Sequence, residues 1–122
     1  MESRANLPGG VEGAAAAIVG NTLYITHGSR GGVSTYGDSA AVSAYSLAGD
    51  SWTVTDLKDA SQARADLAGV AAPDGRIYAI GGKVNVLTGA SNQAVLDTVE
   101  AYTPPTASTN ANSWQTRAPM PT

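Results

Sequence analysis

An internal repeat constrains this chain more than any other feature. Two stretches share one pattern, Ala14-Ala-Ala-Ala-Ile-Val-Gly-Asn-Thr-Leu-Tyr-Ile-Thr-His-Gly28 and Ala68-Gly-Val-Ala-Ala-Pro-Asp-Gly-Arg-Ile-Tyr-Ala-Ile-Gly-Gly82. They align without a gap, placing Tyr24 on Tyr78 and Gly28 on Gly82, an offset of 54 residues (78 − 24). Each stretch reads as a strand, a two-residue turn and a second strand. Gly20-Asn21 and Asp74-Gly75 supply the turns, because Gly, Asn and Asp tolerate the positive φ of tight hairpins. The pattern continues downstream. Val42-Ser-Ala-Tyr45 and later Trp52 correspond to Val99-Glu-Ala-Tyr102 and later Trp114. The offsets grow to 57 (102 − 45) and 62 (114 − 52) as loops lengthen, while the strand signatures persist. Arg4-Ala-Asn-Leu-Pro8 near the start echoes Arg117-Ala-Pro-Met-Pro121 at the end. The chain therefore divides into a lead-in over 1–9, a first unit over 10–57 and a second over 58–122, with ends in phase with the repeat. Such phasing is expected of a two-unit module.

Four short strands in a unit of roughly 50 residues is the kelch period. The second copy resembles the kelch-repeat family in Arg64, Asp74-Gly75, Ile77-Tyr78, Gly81-Gly82, Val99-Glu100, Tyr102, Trp114 and Met120-Pro121. The first copy departs from it: His27 replaces the first glycine of the doublet, Gly10 aligns with Arg64, and Ser-Leu follows Tyr45. The resemblance implies an all-β fold of two four-stranded, kelch-like β-propeller blades. It also implies that Tyr and Trp pack one blade on the next, and that the Ala-rich first strands line the crowded axis. A lone β-sandwich or meander would share the Gly-rich turns, but leaves the ordered recurrence of strand pairs, Tyr and Trp unexplained.

Two blades expose an apolar face at each end, and repeat architectures usually need roughly three or more units. Propellers hold about four to eight blades, so two-blade chains close a ring by head-to-tail contacts about a rotation axis. A homo-oligomer is therefore expected. A trimer of about six blades is favoured and a tetramer of about eight comes next, the other reading being a fragment of a longer propeller.

Composition narrows the function. Charged residues make up 14% of the chain and the formal net charge is −3, with seven scattered Lys and Arg, so the clustered cations that nucleic acid requires are missing. With no Cys there is no disulfide, no thiolate metal site, and none of the Tyr-Cys copper chemistry of kelch-like oxidases. The longest apolar run, Ala14 to Val19, is far short of the roughly 20 residues of a spanning helix and has no cationic lead-in. No membrane association is expected, and the compartment stays open.

Candidate contact residues lie in the two longest predicted loops, 29–40 and 83–96, which the resemblance puts on one face of a propeller together with the blade connections. They are Arg30, Tyr36 and Asp38 in the first, and Lys83, Asn85 and Asn92 in the second. The competing reading is that they are solvated polar residues. Two roles are open to Arg64, anion binding near the ring axis or satisfaction of backbone carbonyls. His27, the only histidine, has no second ligand or base at a recognisable spacing and reads as structural or solvent-bonded. Gly28 to Gly32 and Gly81-Gly82-Lys83 lack the spacing of a phosphate loop, and no Ser sits in G-x-S-x-G. Pro104 to Asn112 reads as a solvent-exposed linker between the third and fourth strands. No catalytic residue, metal or cofactor is expected. The expected partners are further copies of the chain and a protein or small carbohydrate on the loop face. The alternative is a kelch-like enzyme or lectin-like module acting on sugars.

Overall fold

The structure is a computed structural model describing residues 2–31, 36–85, 93–105 and 111–121; within these, the side chains of Arg30, Tyr36, Asn85 and Gln93 are left out of the description. The described residues form strands and turns, with no helix among them. Thirteen strands run in chain order: β1 (Val11–Glu12), β2 (Ala15–Val19), β3 (Thr22–Thr26), β4 (Ser29–Gly31), β5 (Tyr36–Asp38), β6 (Val42–Ser46), β7 (Ser51–Thr53), β8 (Ala68–Ala71), β9 (Ile77–Ile80), β10 (Lys83–Asn85), β11 (Gln93–Val95), β12 (Val99–Thr103) and β13 (Ser113–Arg117).

Two four-stranded antiparallel sheets carry the fold, β2-β3-β6-β7 and β8-β9-β12-β13. They are the two expected units, four strands each. The regions predicted as long loops are hairpins at their bases. Ser29–Gly31 pairs with Tyr36–Asp38, and Lys83–Asn85 pairs with Gln93–Val95. Strand β1 adds to the first of these.

The first hairpin turns as predicted: Val19 pairs with Thr22 across Gly20-Asn21, and Gly20 has φ 60°. The second does not. Gly75 N–H donates to Ala72 C=O (3.0 Å) and Ala72 N–H to Arg76 C=O (2.9 Å), enclosing Pro73-Asp74-Gly75. This is a three-residue turn, with Pro73 setting the first φ and Gly75 taking φ 81°. The extra residue shifts the first strands by one. Tyr24 pairs with Ala17, but Tyr78 pairs with Val70, not with the Ala71 that an ungapped alignment implies. Upstream of the turn the true offset is 53. Glu12 paired with Ser29 matches Ala65 bridged to Lys83, so Val11, not Gly10, is the counterpart of Arg64.

Two consecutive left-handed residues end β3 and β9, His27-Gly28 at φ 61° and 90° and the doublet Gly81-Gly82 at φ 70° and 93°. The glycine at the second position of each is sterically required, since a Cβ on Gly28 would lie 2.9 Å from Glu12 O and one on Gly82 2.6 Å from Ala65 O. A Cβ on Gly81 would meet only the end of Met120 at 3.0 Å and Leu96 O at 3.5 Å. The first position thus tolerates a side chain, which explains His27.

The core lies between the blades. One face of blade 1 (Ala17, Tyr24, Val42) packs on one face of blade 2 (Ile77, Tyr102), with Val19, Ala44, Ala71 and Trp114 at the margin. Tyr24 and Tyr102 meet edge to face at 6.1 Å. The inner strands β2 and β8 approach so closely that a Cβ on Gly69 would sit 2.6 Å from Ala15 Cβ. Asn112, predicted to lie in a solvent linker, instead accepts from Tyr102 Oη (2.7 Å) and Lys58 N (2.9 Å) and donates to Asp56 C=O (2.7 Å). Pro104, from the same segment, is buried, while residues 106–110 lie outside the described residues.

Candidate functional site

The predicted contact residues separate into three groups. Arg30 (β4), Tyr36 (β5) and Asn85 (β10) have their backbones in the hairpins, with side chains outside the described residues, and Asn92 lies outside them altogether. Asp38 accepts a hydrogen bond from Ser29 Oγ at 2.7 Å, and Lys83 Nζ lies 2.9 Å from Asp66 Oδ2. The two hairpins are neighbours, β5 lying against β10. Arg64 is apart from both. It is 0% exposed, at the junction between the blades.

Of the two roles left open for Arg64, carbonyl satisfaction is realised, and it comes with an ion pair. Its Nη2 donates to Ala79 C=O (3.1 Å) and its Nη1 to Glu100 Oε2 (2.6 Å). Glu100 is equally buried, and its other oxygen accepts from the backbone N–H (3.1 Å) and the Oγ of Ser61. His27 enters from blade 1, its Nε2 3.8 Å from Glu100 Oε2 and its ring edge-on to Trp114 at 5.4 Å. Its Nδ1 lies 3.0 Å from Thr26 Oγ1. Burial pushes Glu100 up, but the bonds from Ser61 and Arg64 outweigh it and hold the carboxyl below its usual range. Burial, reinforced by the Arg64 charge, lowers His27 to about 4. The cluster is therefore a buried Arg–Glu pair beside a neutral imidazole. Removing one member of such a pair strands the other charge and costs about 3–5 kcal/mol. Among the described residues no group of His, Cys, Asp and Glu is arranged to hold a metal. The pairing of Arg64 with Glu100 joins residues 36 apart, a distance that no local spacing rule reads.

The two outward faces hold the remaining chemistry. Cross-strand pairing gives blade 1 an outward-facing row of Ile18, Leu23, Tyr45 and Trp52, in which Ile18 is exposed, Leu23 and Trp52 are half-buried and Tyr45 is buried. Its counterpart in blade 2 is the row Ala71, Ile77, Tyr102 and Trp114, which is packed at the internal junction. Blade 2 presents an outward-facing row of Val70, Tyr78 and Ala101, in which Val70 is exposed, Tyr78 half-buried and Ala101 buried, the counterpart of Ala17, Tyr24 and Ala44 on the other side of that junction. The two open faces thus repeat the two halves of an interface that the chain already makes with itself. Ile18 and Val70 are 54% and 51% exposed. The ion cluster is not repeated: Arg64, Glu100 and His27 correspond to Val11, Ser43 and Gly81.

Residues 65–121 match the family model described as a kelch motif. Among solved structures 72 chains match. One of them, titled "Structure of YjhT", superposes with a TM-score of 0.62 at 19% identity, over 91% of this chain and 32% of that one. The chain thus spans about a third of the length of the solved protein it matches. No curated protein matches. The repeated four-stranded sheets, the Gly81-Gly82 doublet and the match over the second unit agree: residues 65–121 carry a kelch motif, and the chain has the fold of a kelch β-propeller module.

Proposed function

We propose that this chain is an assembly module whose copies join head to tail, the open face of blade 2 on one copy seating the open face of blade 1 on the next. The observation that carries this reading is the correspondence of the rows. Val70, Tyr78 and Ala101 repeat one half of the internal junction, and Ile18, Leu23, Tyr45 and Trp52 repeat the other. A heterologous contact of this kind closes into a ring when its rotation divides a full turn. With two blades per chain, we favour the trimer of about six blades, inside the range of known propellers. Contacts at the new junction are apolar and neutral, because Val11, Ser43 and Gly81 stand where Arg64, Glu100 and His27 fix the internal one. The outer junction joins separate chains, so association should depend on concentration. Light scattering after size-exclusion chromatography, over a concentration series, tests the proposal. A mass near three times 12.3 kDa is the expected result, and the mass of one chain at every concentration overturns it.

A further inference from the structure

The connector between the blades is held from both sides. Lys58 N–H donates to Asn112 Oδ1 of blade 2 (2.9 Å), and Lys58 C=O accepts from Trp114 Nε1 (2.8 Å). Two residues on, Ala60 N–H donates to Ala40 C=O of blade 1 (2.8 Å). The two terminal segments divide this bonding pattern between them. At the start, Ala5 N–H donates to Asp50 Oδ1 (2.8 Å) and Ala5 C=O accepts from Trp52 Nε1 (3.0 Å), as Lys58 does in blade 2. At the end, Met120 N–H donates to Asp97 C=O (2.9 Å), as Ala60 does in blade 1. Asp97 is the counterpart of Ala40, because Gly81 N–H bonds Thr98 C=O just as His27 N–H bonds Ala41 C=O. Ala5 and Ala118 therefore both correspond to Lys58, and Leu7 and Met120 both to Ala60. The sequence carries the same duplication, Arg4-Ala-Asn-Leu-Pro8 against Arg117-Ala-Pro-Met-Pro121.

Resting on the head-to-tail reading, we propose that residues 4–8 are a self-occupying plug that regulates assembly. In the free chain they fill the connector slot of blade 1. When a second copy docks, its residues 117–121 arrive at the same slot and Ala118 takes the place of Ala5 on Asp50 and Trp52. One slot cannot hold two backbones, so one segment yields. The leading segment is the one free to do so. It is followed by Gly9 and Gly10, around which a Cβ would meet nothing within 4 Å, so the chain can swing there. Residues 118–121 follow directly on β13 and are anchored through Met120. Assembly then proceeds by exchange of one segment for its repeat, and the strength of the plug sets the concentration at which rings form.

Two substitutions of opposite expected sign test this by analytical ultracentrifugation of the full chain. Ala5→Pro removes the N–H that bonds Asp50 in the plugged state and should tighten association by about tenfold. Ala118→Pro removes the N–H that would replace it in the assembly and should weaken association by about tenfold. Both residues are exposed in the single chain, so neither change touches the core. Association that responds to neither change, or to both in the same direction, overturns the plug and leaves head-to-tail assembly standing. Single chains in the parent and both variants, at every concentration, overturn the assembly reading and the plug with it.

Discussion

At the scale of single residues, His27 has the clearest measurable consequence. It takes the left-handed backbone of a glycine, at φ 61°, and is buried between the blades. Its folded pKa of about 4 lies below the ordinary 6.5, so between these values the unfolded chain binds a proton that the folded chain refuses. Stability therefore rises with pH across that window, by up to about 3 kcal/mol in total. Below pH 4 both states are protonated at this residue and its contribution to the slope ends. Glu100, held below its usual range, acts lower: its contribution is present above the unfolded carboxyl pKa and is lost as pH falls through the folded one. His27→Asn keeps a side chain that accepts positive φ and removes the titration. Urea denaturation at pH 6.5 and pH 4.5 should give a smaller difference for this variant than for the parent.

At the scale of elements, the glycine doublet that closes β9 separates two costs that sequence alone merges. Both glycines have positive φ, so an alanine at either pays about 1–2 kcal/mol for the left-handed conformation. At Gly81 the added methyl meets the mobile end of Met120, whereas at Gly82 it would press on Ala65 O at 2.6 Å. Gly82→Ala should therefore lose about 3 kcal/mol or more and Gly81→Ala about half as much, as read from urea midpoints. The second hairpin shows how an element's register hides from a sequence comparison. Pro73 turns a two-residue loop into three, and the slip that follows moves every residue of β8 by one place.

At the scale of the molecule, the residue rows of the internal junction recur on the two outward faces, and the proposed head-to-tail assembly turns on that recurrence. Val70 is the sharpest handle on the outer copy, exposed in the single chain and equivalent to the buried Ala17. Val70→Lys should abolish association in light scattering while leaving the melting temperature of the single chain within a few degrees, about the effect of a change below 0.5 kcal/mol at an exposed site. A loss of both would mean that Val70 supports the single chain instead.

Two repeats of four strands, the first turn and the glycines that close β3 and β9 were legible in the letters, and the resemblance added that aromatics join the blades. These are local matters of turn chemistry, alternation and repeat, and each is written within a few consecutive residues. Tertiary structure decided the rest. It paired Arg64 with Glu100, 36 residues apart in the second unit, and buried His27 of the first blade beside them, contacts that form only once the faces close. It tied Asn112 to the connector, and made hairpins of segments that read as loops because their strands are only three residues long. The one-residue slip in β8 was also settled there, since an ungapped alignment carries no record of which residues face each other. That Ala5 and Ala118 are counterparts was visible as a faint echo of letters. That Ala5 matches Lys58 is read only from hydrogen bonds between residues more than forty positions apart, and that Ala118 matches it only from the Met120–Asp97 bond.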